Sequence, residues 1–295
     1  MTIANGLSEQ IELVDQNGDN IEDLFGAFTS ASFIIDETNR TEYSIGNNGK
    51  AADISDGPVE NRASITCKPE TLEILKVMGT FDSGAGTITF DKFLPKLNVL
   101  NGQTTDCLRF HFEDLKFGGF NLGAEIDSTV TIEFDPILAE KGEKQNQTVS
   151  VADADGTPLQ WTDTTVKIDG TQFGTTESVA GNTLDRNLSS EYGLGQGREP
   201  VENIEGRFSI QPSFVVKVEN AEPFKKVLDD SSFPLTVQDV RSEIGEISFD
   251  FGDGNGELVI ENGKAEINTY DFDEDKDTRT VELSFDARDI KVRNL

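Results

Sequence analysis

The chain of 295 residues carries 55 Asp and Glu against 25 Lys and Arg, a formal net charge of -30. Such a surface repels nucleic-acid phosphates and anionic membranes, which excludes a protein that grips either by charge. The hydrophobic share is only 35%, yet 20 Phe residues supply large side chains for a core, so the chain reads as globular, with a length that suits one large domain or, more naturally, two.

The acidic residues are spread along the chain instead of being gathered in a tail. At molar salt the Debye length falls to about 3 Å and screens the self-repulsion of such a surface. This points to a haloarchaeal source or virus, with an acidic mesophilic protein as the plainer reading. Cys67 and Cys107 fall in apparent strands and form no pair of the secreted or metal-binding kind, which makes them buried free thiols. No basic segment followed by an apolar run opens the sequence, so no signal peptide is expected, and no apolar stretch approaches the roughly 20 residues needed to span a bilayer.

In chain order, Ile11 to Val14 alternate as a short strand, Asn17-Gly18 marks a hairpin turn, and a second strand follows near Phe28 to Ile35. A polar segment, RTEYSIGNNGKAADISDGPVENR, runs from Arg40 to Arg62. Ala63, Ile65 and Cys67 then alternate, and LEILKVMG reads as a short helix with Pro69 in its first turn and Gly79 at its end. Strands around Thr87 to Phe93, Leu108 to Phe112 and Ile126 to Phe134 close a first domain, 1–138. A polar linker is expected over 139–158, and a second domain over 159–295.

The second half repeats this order. Phe173-Gly174 matches Phe25-Gly26, and Ser190 to Gly195 match Thr41 to Gly46. Gly206 to Ile210 match Asn61 to Ile65, and Thr280 to Asp286 match Thr129 to Asp135, all at a spacing near half the chain. Leu184 to Arg207, LDRNLSSEYGLGQGREPVENIEGR, is the better-preserved copy of the polar loop and is too long for an ordinary connection. Phe208, Ile210, Pro212, Phe214, Val216 and Val218 then share one face of a half-buried strand, with Pro212 marking an edge or bulge. Ala221 to Leu228 form the second short helix. Each half is therefore many strands with one short flanking helix and a long loop, in a sandwich or small barrel.

Catalytic chemistry finds little footing. His111, the single histidine, lies in the alternating run LRFHF and reads as a strand residue. No nucleophile elbow, Walker or dinucleotide-binding glycine pattern occurs, and GLGQGR enters an acidic turn instead of a helix. Asp271, Asp273, Asp275 and Asp277 with Glu282 imitate an EF-hand loop, but Lys276 stands where the glycine belongs and the flanks are strand-like. An acidic hairpin turn is the simpler account. No catalytic residue and no cofactor are expected.

With the strand, long loop, strand and helix order laid out, the second half resembles the major tail tube proteins of long-tailed, lambda-like siphoviruses. The resemblance rests on SSEYGLGQGREPVENIEGRFSI, the alternating strand after it, the NAEPFKKVL helix and the closing VELSFDARDIKV strand. It is clear over about 160–295 and fainter over 8–138, where the loop lacks the counterparts of Arg198 and Pro200. It implies two tandem tail-tube-like β-barrel or sandwich domains in a virion structural protein assembled in the host cytoplasm. Rings of six domains would stack into a tube through which DNA passes without specific binding, alongside tape-measure and other tail proteins and without membrane insertion. Two domains per chain imply homotrimeric pseudo-hexameric rings, with a homohexamer as the alternative. The loop then supplies contacts between rings or subunits, through Arg186, Glu191, Tyr192, Leu194, Arg198, Glu199 and Arg207 and, in the worn copy, Tyr43 and Ile45. An inner tube of a contractile tail or secretion system, and a secreted or surface β-sandwich binding cations or sugars, are the alternative functions.

Overall fold

The computed structural model describes residues 11–43, 51–90, 93–105, 108–125, 128–146, 157–172, 175–180, 182–193, 197–217, 243–252, 254–273 and 278–295. The helix expected at Ala221 to Leu228 lies outside them. The described chain is mostly β. Its first half contains β1 (Ile11–Val14), β2 (Ala27–Tyr43), β3 (Ala51–Lys68), β4 (Thr80–Asp82), β5 (Thr87–Thr89), β6 (Leu97–Thr105), β7 (Leu108–Phe117), β8 (Gly119–Glu125) and β9 (Thr131–Gln145). The second contains β10 (Thr165–Ile168), β11 (Thr171–Gln172), β12 (Thr175–Ala180), β13 (Asn182–Asp185), β14 (Ser189–Glu191), β15 (Glu202–Ile204), β16 (Ser213–Lys217), β17 (Glu243–Asp250), β18 (Glu257–Asp273), β19 (Thr278–Asp286) and β20 (Asp289–Arg293). Hydrogen-bonded pairings link all of them except β14 and β15 into one continuous sheet.

The expected helix after Pro69 is a 3-10 helix, Leu72–Val77, started by Thr71, whose hydroxyl oxygen accepts from the Glu73 amide at 3.2 Å. Leu72, Ile74, Leu75 and Val77 are all buried, which is too many sides of so short a turn for a single apolar stripe against one surface.

The first-half strands pair in the order β1, β6, β7, β9, β3, β2, with β8 continuing β7 along the other end of β9. The second-half strands pair as β10, β17, β18, β19, β16, β12, with β20 continuing β19 along β18. One order describes both. Long β18 does the work of β7 and β8 together, and long β9 that of β19 and β20. A bulge interrupts β2 between Phe28 and Ser30 and β12 between Thr176 and Ser178. With those bulges superposed, the row Ala31, Ile65, Phe134 corresponds to Val179, Phe214, Leu283. The sequence pairing sets Ile65 against Ile210 and Ile132 against Leu283. It slips along the strands by even steps, which a period of two cannot detect.

The ladder is not a closed barrel, because β1 and β2 each have one neighbouring strand among the described residues. Nor does the first half end at 138: β9 runs to Gln145, with Ala139 opposite Leu115 and Gln145 opposite Arg109, so backbone pairing carries this polar stretch as strand. The buried side chains form one cluster that includes residues of both halves. Phe117 and Phe134 meet edge to face at 5.2 Å in the first half, and Phe214 and Phe249 at 6.2 Å in the second. Trp161, 4% exposed, and Leu159 belong to the same cluster.

The halves are also joined strand to strand. β12 and β13 of the second half lie antiparallel along the edge of β8, with Val179 opposite Ala124 and Asn182 opposite Asn121. In return β5 of the first half adds to β20, with Ile88 opposite Val292.

Candidate functional site

The polar loop of the second half folds back over the first half. It leaves the sheet where Asp185 and Ser209 exchange backbone hydrogen bonds at 2.8 Å each way. Arg186 follows, its amide donating to the Gly118 carbonyl at 2.8 Å and its guanidinium to the Phe90 carbonyl at 3.2 Å, while it lies over the Phe208 ring at 4.4 Å. Gly118 and Gly119 carry no side chain where Leu184 to Leu188 cross them; a Cβ on Gly118 would stand 2.9 Å from that of Leu188. Asn187 takes a positive φ of 47° and steadies the return strand by donating to the Arg207 carbonyl at 2.9 Å.

Beyond this neck, β14 and β15 pair as a separate two-stranded ribbon, Ser190 opposite Asn203. Its tip is tied to β3. The Tyr192 hydroxyl donates to the Val59 carbonyl at 3.0 Å, Arg198 Nε donates to the Gly57 carbonyl at 2.8 Å, and the Arg198 carbonyl accepts from the Val59 amide at 2.9 Å. Arg198 also reaches Asp56 at 3.5 Å, and Glu199 accepts from the fully buried Asn61 side chain at 2.6 Å. Burial, with the charges of Glu60 and Glu199 nearby, pushes the Tyr192 hydroxyl up, so it stays a donor. At the base, Lys116 of β7 donates to Glu205 and to the Asn203 carbonyl, each at 3.0 Å, and Glu205 accepts from the Leu94 amide. Both members of that ion pair are largely buried.

The expected contact residues thus fall into four groups. Arg186, Tyr192, Arg198 and Glu199 hold the loop of the second half on the first half of the same chain. Glu191 and Arg207 are exposed on the ribbon and at its neck. Leu194 and Ile45 lie outside the described residues; Tyr43 closes the β2–β3 ladder opposite Ala51. The sequence does not single out Lys116, Asn61 and Glu205. Glu205 lies in the loop and carries a charge, but a lone lysine in an alternating strand gives no hint of its partner. At the ribbon, Tyr192, Val201 and Ile204 are 39%, 47% and 41% exposed.

The remaining candidates are ordinary strand residues. His111 on β7 lies 2.6 Å from Asn101 and 3.2 Å from Glu113. Cys67 is a buried free thiol, pushed up by burial, and its Sγ donates to the Ile132 carbonyl at 3.6 Å. Cys107 lies outside the described residues. Asp271 and Asp273 are in β18 opposite Thr280 and Thr278, while Glu282 stands opposite Thr269, and Asp275 and Asp277 lie outside the described residues. Among the described residues no group of three metal-ligating side chains converges, and no helix is long and apolar enough to cross a membrane.

No family model matches the sequence, and no curated protein matches it.

Proposed function

We propose that this chain is a ring-forming structural protein with a duplicated sheet domain, a tail tube subunit of a long-tailed virus adapted to high salt. The observation that carries this reading is the junction inside the chain. Two halves with the same strand order are joined head to tail, β12 and β13 of one extending β8 of the other. A contact between unlike surfaces of like units propagates; if its rotation closes, it makes a ring. Three chains then give six sheet units, a homotrimeric pseudo-hexamer, each half being a tail-tube-like β-sandwich.

Two further features suit this role. Net charge of -30 presents DNA with a repelling wall, as a conduit for genome passage requires. The ribbon of β14 and β15 leaves Val201 and Ile204 exposed, an apolar surface for the next ring. Electron microscopy of the purified protein in molar salt tests the reading: rings or tubes with a central channel are expected. Particles of single-chain size at every salt and protein concentration would overturn it.

A further inference from the structure

Inside the chain, β8 does not end in solvent. Its outer edge, beyond the reach of β6, takes β12 and β13, with Ser178 opposite Glu125, Val179 opposite Ala124 and Asn182 opposite Asn121. The corresponding edge in the second half is the later part of β18, which pairs with β19 on one side and has no strand on the other among the described residues. The counterpart of β12 and β13 is β2, which pairs with β3 and has an equally open outer edge among the described residues. One edge of each kind is used within the chain, and one of each kind is left.

We propose that β2 of one copy of this chain pairs antiparallel with the outer edge of β18 of a second copy, repeating between chains the ladder that joins β12 and β13 to β8 within one. This rests on the ring-forming reading and names its joint. The register follows from the bulges and from the shared β9 and β19 frame. Ser30 takes the place of Ser178, and Asp273 that of Glu125, so Ser30 faces Asp273. Four residues on, Ile34 faces Thr269, as Asn182 faces Asn121.

Two independent observations fit this occupant. Ile34 is 47% exposed, a large apolar side chain on an open strand that such a ladder would cover. A cavity of about 460 Å³ opens at the bend of β18, lined by Gly263, Lys264 and Ala265 with Ile244, Ser284 and Arg288. The corresponding bend of the first half, at Gly118, is where Arg186 and Leu188 of the second half are seated. In the pairing proposed, the part of β2 that continues past Asp36, still paired with β3, runs toward this cavity as Arg186 to Leu188 run into theirs.

Cysteine pairs test the register in a Cys67→Ala, Cys107→Ser background. Chains carrying Ser30→Cys mixed with chains carrying Asp273→Cys are expected to form covalent dimers on oxidation in molar salt, as are Ile34→Cys with Thr269→Cys. The off-register pair Ser30→Cys with Thr269→Cys should give none. One chain carrying Ser30→Cys and Asp273→Cys together should yield a ladder that ends at the covalent trimer. The unaltered protein supplies a second reading: amide exchange in 30–36 and 268–273 should slow at least about tenfold on assembly, as buried ladders do. Rings by microscopy without these cross-links and without slowed exchange would overturn the β2–β18 joint and leave the ring reading standing. No rings and no cross-links would overturn both.

Discussion

Val179 stands opposite Ala124 in an antiparallel ladder, so a strand of the second half completes the edge of a sheet belonging to the first. Both side chains are buried, at 2% and 5% exposure, in a cluster that spans the halves. The junction is therefore core and not a surface contact between independently packed domains.

Unfolding should accordingly be a single transition. Phe134→Ala in the first half and Leu283→Ala in the second should each lower the stability of that one transition, by about 3–5 and 2–5 kcal/mol respectively. Trp161 is the only tryptophan and is buried in the shared cluster, so its fluorescence in a denaturant titration reports the event. Two separated transitions, each sensitive to one substitution alone, would contradict a shared core.

Arg293 is the partner of two carboxylates, with Nε 2.6 Å from Glu257, whose side chain is 5% exposed, and Nη2 2.9 Å from Glu246. These hydrogen bonds from Arg293 hold the Glu257 carboxyl below its ordinary range against the opposing effect of burial. A carboxyl depressed by folding adds stability above its unfolded value, and that stability is lost as pH falls through the folded value. Arg293→Ala should cost about 3 kcal/mol at neutral pH by leaving Glu257 buried without its cation. The gap between variant and parent should narrow below the folded Glu257 value, which denaturation midpoints over a pH series will read.

Salt should stabilise the fold without chemical specificity. At molar ionic strength the Debye length is about 3 Å, so repulsion among the charges behind the net -30 is largely screened. Sodium and potassium chloride should raise the melting temperature alike. A further rise on adding micromolar Ca²⁺ in molar salt, abolished by Asp271→Asn with Asp273→Asn, would instead point to a metal site in that hairpin.

Arg198→Ala combined with Glu199→Ala should loosen the ribbon from β3 at a cost of about 1–3 kcal/mol in docking, the range for charge-assisted hydrogen bonds. Limited proteolysis between Tyr192 and Val201 should quicken while far-UV circular dichroism stays unchanged. Deleting 187–203 should leave the sheet folded and abolish stacking; long tubes from that variant would refute a stacking role for the ribbon.

The sequence made visible the features that side-chain identity controls. Ile11 and Leu13 in β1 and Ile132 and Phe134 in β9 alternate and are buried as the pattern requires. Pro69 and the apolar run after it mark a helical turn, though the turn begins only after Thr71 and its 3-10 geometry follows from packing on several sides. The loop stood out as an anomaly, but its seat did not: Gly57 and Val59 receive it through backbone atoms, which carry no sequence signal. The junction of β8 with β12 and β13 is hidden for the same reason. The stretch from 139 to 145 reads as linker because its polar residues dominate, whereas its pairing with β7, from Leu115 opposite Ala139 to Arg109 opposite Gln145, decides that it is strand. Arg293 is far in sequence from Glu246, and charge abundance in this chain masks any single pair.

Light scattering coupled to size exclusion in molar salt measures the central claim most directly. The account predicts a discrete closed species at three times the chain mass of 32.3 kDa, or stacks in multiples of it. A single-chain mass that persists at every concentration would contradict it.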